Sequence, residues 1–414
     1  MPRAVVIGGG AIGVASAHYL EGTGWEVTLL DRGEIGRGCS YGNSCLIVPS
    51  HSHPIPGPGV LGQALRWMLR RDSPFYVRPR LDPGLLRWAW QFRGFCRPEA
   101  AARGFEALLA LSRASLPLFE ELARTPGIDF FYQRKGLLHV YLSDRGAAGA
   151  RHEQEVLERA GFRVRLLSGP ETLEFEPALS PRVRGGLYIE GEAHGHAFGY
   201  VRALAAHVEK RGARVLPHRA VSRIVVERGR VDRVVTASPV EELPADLVVL
   251  AAGAWTPELA ASLGIWIPLQ PAKGYSCTID DFPGSPRVPI LIQERRVIVT
   301  PLGDRLRFGG TLELAGYDLA IDETRYRAVV RAGREVLRTP FELGNAEAWC
   351  GLRPVTPDGL PIIARAPGVE GLIVATGHAM LGFTQSPITG KLVAELANGQ
   401  APSVPLTPFR LDRF

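Results

Sequence analysis

Apolar residues along this chain recur with two different periods. The β-branched run Val5-Val6-Ile7, beginning at about Arg3, reads as a strand, and a helix-like stretch follows from about residue 12 to 21. A second apolar run, 27–30, stops at the acid Asp31. From 60 to 119 the spacing turns helical, with Trp67, Met68, Leu85, Trp88 and Trp90 set among arginines. A helix over 198–210 leads to a short strand at 213–216, and the runs 221–228 and 230–237 form a hairpin about Gly229. Residues 245–255 read as a buried parallel strand ending in small residues. Alternating strands dominate 291–311, and a last strand at 371–377 leads through a loop to a helix ending near Asn398. Strand and helix pieces of one α/β unit therefore lie at the start, the middle and the end of the chain. A second unit interrupts them.

The first of these pieces carries chemistry. Between strand and helix stands Gly8-Gly9-Gly10-Ala11-Ile12-Gly13, a G-x-G-x-x-G sequence, and each glycine has a mechanical task in a dinucleotide-binding βαβ unit. Gly8 permits the tight turn, Gly10 lets the backbone approach a pyrophosphate, and Gly13 lets helix and strand pack closely. The helix N-terminus offers free N–H groups to phosphates, and Asp31 is placed to accept hydrogen bonds from a ribose hydroxyl. The motif alone does not choose between FAD and NAD. The interruption does: an NAD enzyme of ordinary layout keeps its strands contiguous, whereas insertion of a second unit is the habit of FAD proteins.

Composition narrows the class. A chain of 414 residues with 46% hydrophobic and 22% charged residues is that of a globular enzyme of two packed units. Its longest apolar runs have strand length, and the first strand starts too early to leave room for a signal peptide, so a cytoplasmic protein is expected. Five cysteines without C-x-x-C spacing fit a reducing compartment. Net charge is +6 with dispersed basic residues, and no nucleic-acid-binding signature appears, so no nucleic-acid partner is expected. Only Lys135, Lys210, Lys273 and Lys391 break an otherwise all-arginine set of 48 basic residues. The basic, tryptophan-bearing stretch over 60–100 admits two readings: a helix pair covering a domain, or a segment in peripheral contact with the inner face of a membrane. His51-Ser52-His53 and His194-Gly195-His196 lack a partnering ligand set, so no metal is expected.

Five motifs in order resemble the D-amino-acid oxidase and glycine oxidase superfamily of FAD amine oxidoreductases, nearest in pattern to bacterial D-amino-acid dehydrogenases. After the glycine motif comes Gly38-Cys39-Ser40-Tyr41-Gly42-Asn43-Ser44-Cys45-Leu46-Ile47-Val48-Pro49, similar to the loop that reaches the flavin edge. Leu250-Ala251-Ala252-Gly253-Ala254-Trp255 and Pro271-Ala272-Lys273-Gly274 follow. Trp349-Cys350-Gly351-Leu352-Arg353-Pro354-Val355-Thr356-Pro357-Asp358-Gly359 and Gly377-His378-Ala379-Met380-Leu381-Gly382-Phe383-Thr384 are the most specific. The resemblance covers essentially the whole chain. It implies a GR2-type FAD-binding Rossmann-like domain (1–80, 195–267 and 345–414) interleaved with an antiparallel-sheet α+β substrate domain (81–194 and 268–344). Two departures stand out: Cys45 replaces a glycine of the loop, and Ala379 replaces the second glycine of Gly-His-Gly. Either change narrows the space beside the flavin.

The resemblance also implies roles. FAD, held without a covalent bond, is expected to contact Gly8, Gly10, Ala11, Ile12, Gly13, Asp31 and Arg32. Ser40, Asn43, Ser44, Cys45, Leu46, Val221, Ala252, Gly253 and Trp255 continue that set. Leu381, Gly382, Phe383 and Thr384, leading into the last helix, are expected to stabilise charge on the reduced flavin through backbone N–H groups. Arg353 matches the arginine that grips a substrate carboxylate, a task suited to a bidentate guanidinium. Lys273 and Arg307 are further candidate catalytic groups, Arg307 standing where sarcosine oxidases carry a lysine over the flavin. The expected reaction is hydride transfer from Cα of an amino acid, most simply a D-amino acid, to flavin N5. The imine is then hydrolysed to the 2-oxo acid, and a quinone or dye takes the electrons. Alternatives are an oxygen-using oxidase of glycine, sarcosine or proline type, and a flavoprotein subunit dependent on partner chains. Substrate side chain and oligomeric state remain open.

Overall fold

The computed structural model describes residues 1–68, 70, 72–344 and 346–414; residues 69, 71 and 345, which fall in the expected helical and C-terminal segments, lie outside it. Its first layer is a six-stranded sheet. The order is Ile362–Arg365, Leu372–Thr376, Leu247–Leu250, Arg3–Ile7, Glu26–Leu30, Arg214–Leu216, parallel except for the first strand. The pleat divides these strands between two cores. Ala4, Val6, Leu29 and Val249 face the helices Ala11–Glu21, Ala197–Lys210 and Ser386–Ala397, while Val5, Ile7, Leu30, Val248 and Leu250 face a three-stranded sheet built from Val221–Glu227, Arg230–Thr236 and Glu242–Pro244. A Cβ on Gly390 would come within 2.5 Å of the Ala15 backbone, so this glycine sets how closely the first and last helices pack.

The second layer is a nine-stranded, mostly antiparallel sheet. Its order runs Glu347–Val355, Gln270–Ile279, Arg305–Leu314, Val297–Leu302, Ile290–Ile292, Leu137–Tyr141, Gly185–Ile189, Val164–Ser168, with Phe75–Val77 paired in parallel to Arg305–Leu314. One face buries Tyr275, Cys277 and Phe308 against the helix Glu323–Val336. The opposite face carries Gly274, Gly309 and Gly351 at positions where a Cβ would collide with side chains lying on the sheet.

Several sequence expectations shift in detail. The helical stretch over 60–119 is three helices, Val60–Met68, Pro83–Phe95 and Pro98–Arg124, interrupted by the strand Phe75–Val77. That strand exists through a pairing with Leu312–Leu314, more than two hundred residues away. The buried strand expected over 245–255 ends at Leu250, and Gly253–Trp255 form a 3₁₀ turn. The strand Glu347–Val355, grouped from sequence with the cofactor unit, hydrogen-bonds into the second sheet through Gln270–Ile279.

Candidate active site

The glycine loop has the form its sequence requires. Gly8 sits at φ +113°, where a side chain would also strike the Ala251 carbonyl, and a Cβ on Gly13 would collide with the Gly8 carbonyl. Gly10 differs: the nearest atom to an added Cβ is Ser40 Oγ at 3.5 Å, so no protein packing requires a glycine there. The helix Ala11–Glu21 has no side-chain N-cap from Gly10 and no acid in its first turn, and the Ala11 N–H donates to Ser40 Oγ at 3.0 Å. Asp31 accepts from Gly9 N–H at 2.7 Å and Gly33 N–H at 2.8 Å, pinning both loops. Burial raises its pKa, and those two bonds oppose the rise. A carboxylate has about four acceptor directions, so Asp31 retains capacity for a ribose hydroxyl. Arg32 stacks on Trp255 at 3.7 Å from the ring centroid. Ala252 adjoins Gly8, Gly253 lies at φ +56°, and Val221 opens the strand flanking this end.

The loop from Gly38 lies across the glycine-bearing face of the second sheet. Gly42 sits under the Trp349 ring, and Ser44 lies over Gly309 while its carbonyl accepts from Thr300 Oγ1 at 2.7 Å. Arg307, buried on this face, holds the loop from below. Its Nε donates to Thr278 Oγ1 at 2.9 Å, and its Nη1 donates to the carbonyls of Tyr41 at 2.8 Å and Asn43 at 3.1 Å. Nε and Nη1 are engaged in this way, while Nη2 makes no hydrogen bond among the described residues. Asn43 Oδ1 in turn accepts from Cys45 N–H at 2.7 Å. Cys45 at φ +64° and Ala379 at φ +46° both occupy the left-handed region, which explains why glycine suits these two positions in the resembled pattern.

Arg353 and Lys273 part company. The Arg353 guanidinium lies over Gly274, whose Cβ would overlap it, and Nη1 donates to the Thr311 carbonyl at 2.7 Å. Among the described residues it has no carboxylate partner. Desolvation lowers its pKa from the ordinary value, and the nearby Cys39 thiol offsets part of that. Lys273 sits on the other side of the pleat. Its Nζ donates to Asp318 Oδ2 at 3.0 Å and the Ala320 carbonyl at 2.9 Å, and Glu313 is 3.9 Å away. Glu313 also accepts from Tyr275 Oη and pairs with Arg325 of the covering helix. Strand alternation carries Lys273 to the face opposite Arg353, into a buried ion-pair network, so the structure does not bring these two candidate groups together. Cys350 shares that far face, donating to the Leu319 carbonyl.

The final turn closes the other side. Leu381 and Phe383 are buried, Gly382 lies beside the His378 Cβ, and the helix itself begins at Ser386, later than expected. Thr384 Oγ1 donates to the Leu46 carbonyl and accepts from Val48 N–H, at 3.1 and 3.3 Å, binding this turn to the loop. His378 Nε2 meets Thr389 Oγ1 at 2.9 Å, while His378 Nδ1 and Gln385 Oε1 are buried without a partner among the described residues. The uncrowded Gly10, the uncapped helix and these orphaned atoms fit a dinucleotide whose flavin end reaches the turn.

The H-x-H pairs diverge. His196 Nδ1 caps the helix Ala197–Lys210, and His194 pairs in a short strand with Leu46. His53 stacks on Phe105, and His51 Nε2 meets His139 Nε2 at 3.1 Å. Sequence reasoning missed His139, Glu153 and Gln293, which join His51 in one cluster, and also Glu192, whose Oε1 accepts from Ser50 N–H at 3.0 Å. No local pattern marks them.

An α/β cradle facing a glycine-floored antiparallel sheet, with a guanidinium on that floor that has no carboxylate partner among the described residues, fits a dinucleotide-dependent oxidoreductase. Residues 3–396 match the family described as FAD dependent oxidoreductase, and the chain belongs to that family. FAD is its cofactor. The chain is similar to D-amino acid dehydrogenase of Paramagnetospirillum magneticum, with 36% identity over 100% of this chain and 99% of that protein. It is also similar to that of Cereibacter sphaeroides, with 33% identity over 100% and 95%. Glycine oxidase from Geobacillus kaustophilus shares its fold with TM-score 0.78 and 25% identity, over 100% of both chains.

Proposed function

We propose that this protein oxidises a D-amino acid to its imine, released after hydrolysis as the 2-oxo acid, and delivers the electrons to a quinone or dye in preference to oxygen. The observation that carries this reading is Arg353, a guanidinium on the glycine floor with no carboxylate partner among the described residues. A substrate carboxylate would complete it with two parallel charge-assisted hydrogen bonds. Fixing the carboxylate fixes Cα, and Gly274 gives the guanidinium its room. Bound FAD supplies the acceptor for the hydride that leaves Cα. Gly8 to Gly13, Asp31 and Arg32 would hold the dinucleotide end, and the turn at Leu381 to Thr384 the flavin end. FAD is held noncovalently in this reading, since Cys350 points away from the cleft face. The D configuration and an acceptor other than oxygen are supported by similarity to the two D-amino acid dehydrogenases, and the quinone or dye is this reading's own choice of acceptor. Peripheral contact with an acidic membrane is supported by the helix Val60–Met68, which buries none of its residues, and by Leu86 and Trp90, exposed beside Arg87 and Arg93.

The test is a panel of D- and L-amino acids assayed with a dye and with oxygen, on wild type and Arg353→Leu. Wild type should reduce the dye with D-amino acids, and acid precipitation should free its FAD. Losing a buried partner for a carboxylate costs about 2–5 kcal/mol, so the variant should lose about a thousandfold in kcat/KM while keeping its FAD. Wild-type-like turnover by Arg353→Leu sinks the assignment, and faster turnover with oxygen than with dye favours the oxidase.

A further inference from the structure

A chain of oriented hydrogen bonds ends at His51, in the segment that follows the loop from Gly38. Glu153 Oε1 lies 2.9 Å from His139 Nδ1, and Tyr141 Oη donates to Glu153 Oε2 at 2.8 Å. Gln293 donates to both oxygens of Glu153, its amide oriented by Arg296, whose Nη1 donates to Gln293 Oε1. Gln293 Nε2 also lies 2.9 Å from His139 Nδ1, but its hydrogens are directed to the two oxygens of Glu153, so the carboxylate is the partner that takes the hydrogen bond from His139 Nδ1 and leaves a lone pair at Nε2. His51 Nε2, 3.1 Å away, must then be the donor. The remaining ring atom, His51 Nδ1, is left as an acceptor, and it takes no hydrogen bond among the described residues.

The place of His51 is set by the loop that carries it. Leu46 and Val48 are tied to Thr384, and Ile55 packs in the same apolar cluster as Ala379, so the intervening segment wraps the final turn. His139 lies in the strand Leu137–Tyr141, three strands along the sheet from the strand Arg305–Leu314 over which Arg353 reaches. At about 4.8 Å per strand the two strands lie roughly 14 Å apart, and the His51 ring stacks on that of His139 with 5.1 Å between centroids. Arg353 and His51 thus belong to different strands' neighbourhoods, so a substrate whose carboxylate is held by Arg353 would meet His51 with the end of its side chain and not with its α-amino group.

We propose that His51 forms a side-chain subsite, its Nδ1 accepting a hydrogen bond from a hydroxyl or amide N–H at the end of the substrate's side chain. The proposal rests on the amino-acid reading above. Glu153 and His139 are positioning residues that hold His51 in the accepting tautomer. Burial, and His139 beside it, push the His51 pKa down to about 3, which keeps the ring neutral. Burial alone would raise Glu153, but its bonds with His139 and Tyr141 bring it down to about 2, so the anchoring carboxylate stays ionised.

The test uses near-isosteric pairs, D-glutamine with D-methionine and D-tyrosine with D-phenylalanine, on the FAD-loaded enzyme. Wild type should favour the donor-bearing member of each pair. His51→Leu should raise KM for D-glutamine and D-tyrosine by about tenfold or more, leaving the apolar partners within about threefold. His139→Leu should shift the same within-pair ratios in the same direction. His51→Gln, whose amide can both donate to His139 and offer an acceptor, should retain part of the preference, and it carries the test if the leucine variant loses FAD. Within-pair ratios unchanged by these substitutions overturn the subsite while leaving the oxidation of D-amino acids standing. If wild type oxidises no D-amino acid, both readings fall.

Discussion

Ala379 is a small side chain in a conformation made for none. At φ +46° it sits in the left-handed region, where an L-residue pays about 1–2 kcal/mol, and more with a branched Cβ. Ala379→Gly should therefore leave the thermal midpoint of the holoenzyme within a few degrees of wild type, because relief of strain is offset by added chain entropy. Ala379→Val should lower stability by about 2 kcal/mol or more, read by thermal denaturation; a valine variant as stable as wild type would refute the strain account. Cys45, at φ +64°, answers to the same argument. Both departures were legible in the sequence as replaced glycines. The sequence reading saw only their size, because φ is set by the path of the backbone through its neighbours.

At the scale of elements, local order was read well and partnership poorly. The βαβ start was legible because strand, glycines, helix and acid lie within about thirty residues and each has a local cause. The helix Val60–Met68 was legible too, but its covering was not. In the structure it leaves Leu65 67% exposed, and Trp90 of the next helix is 71% exposed. The functional consequence is testable with vesicles. The protein should sediment with vesicles containing anionic phosphatidylglycerol and remain free of neutral phosphatidylcholine vesicles, and Leu65→Glu with Trp90→Glu should abolish sedimentation without changing dye-linked turnover in solution. Equal binding by the double variant would assign this surface to another task.

At the scale of the molecule, loop and sheet are joined through a buried acid. Glu192 is 1% exposed, bonded through Oε1 to Ser50 N–H, and its Oε2 has no partner among the described residues. Burial pushes its pKa up to about 8. A carboxyl raised above its unfolded value keeps its proton in the folded state between about pH 4.5 and 8, while the unfolded chain releases it. The unfolded state then binds fewer protons, so stability falls as pH rises through this window, by on the order of a few kcal/mol. Glu192→Gln keeps the acceptor for Ser50 and removes the titration. Its thermal midpoint relative to wild type should rise from pH 5 to pH 8, and a difference that does not vary with pH would rule out a neutral Glu192.

The sequence by itself determined the glycine loop and the acid that pins it, because both are written in a short motif with local geometry. It could not show that Arg353 and Lys273 lie on opposite faces of the sheet, since a residue's face depends on strand register, and register here comes from pairings about eighty residues apart. Nor could it assemble His51, His139, Glu153 and Gln293, which arrive from four distant segments and meet only when the second sheet closes over the loop. Short-range sterics decide where the dinucleotide lies. Long-range packing decides what faces the substrate.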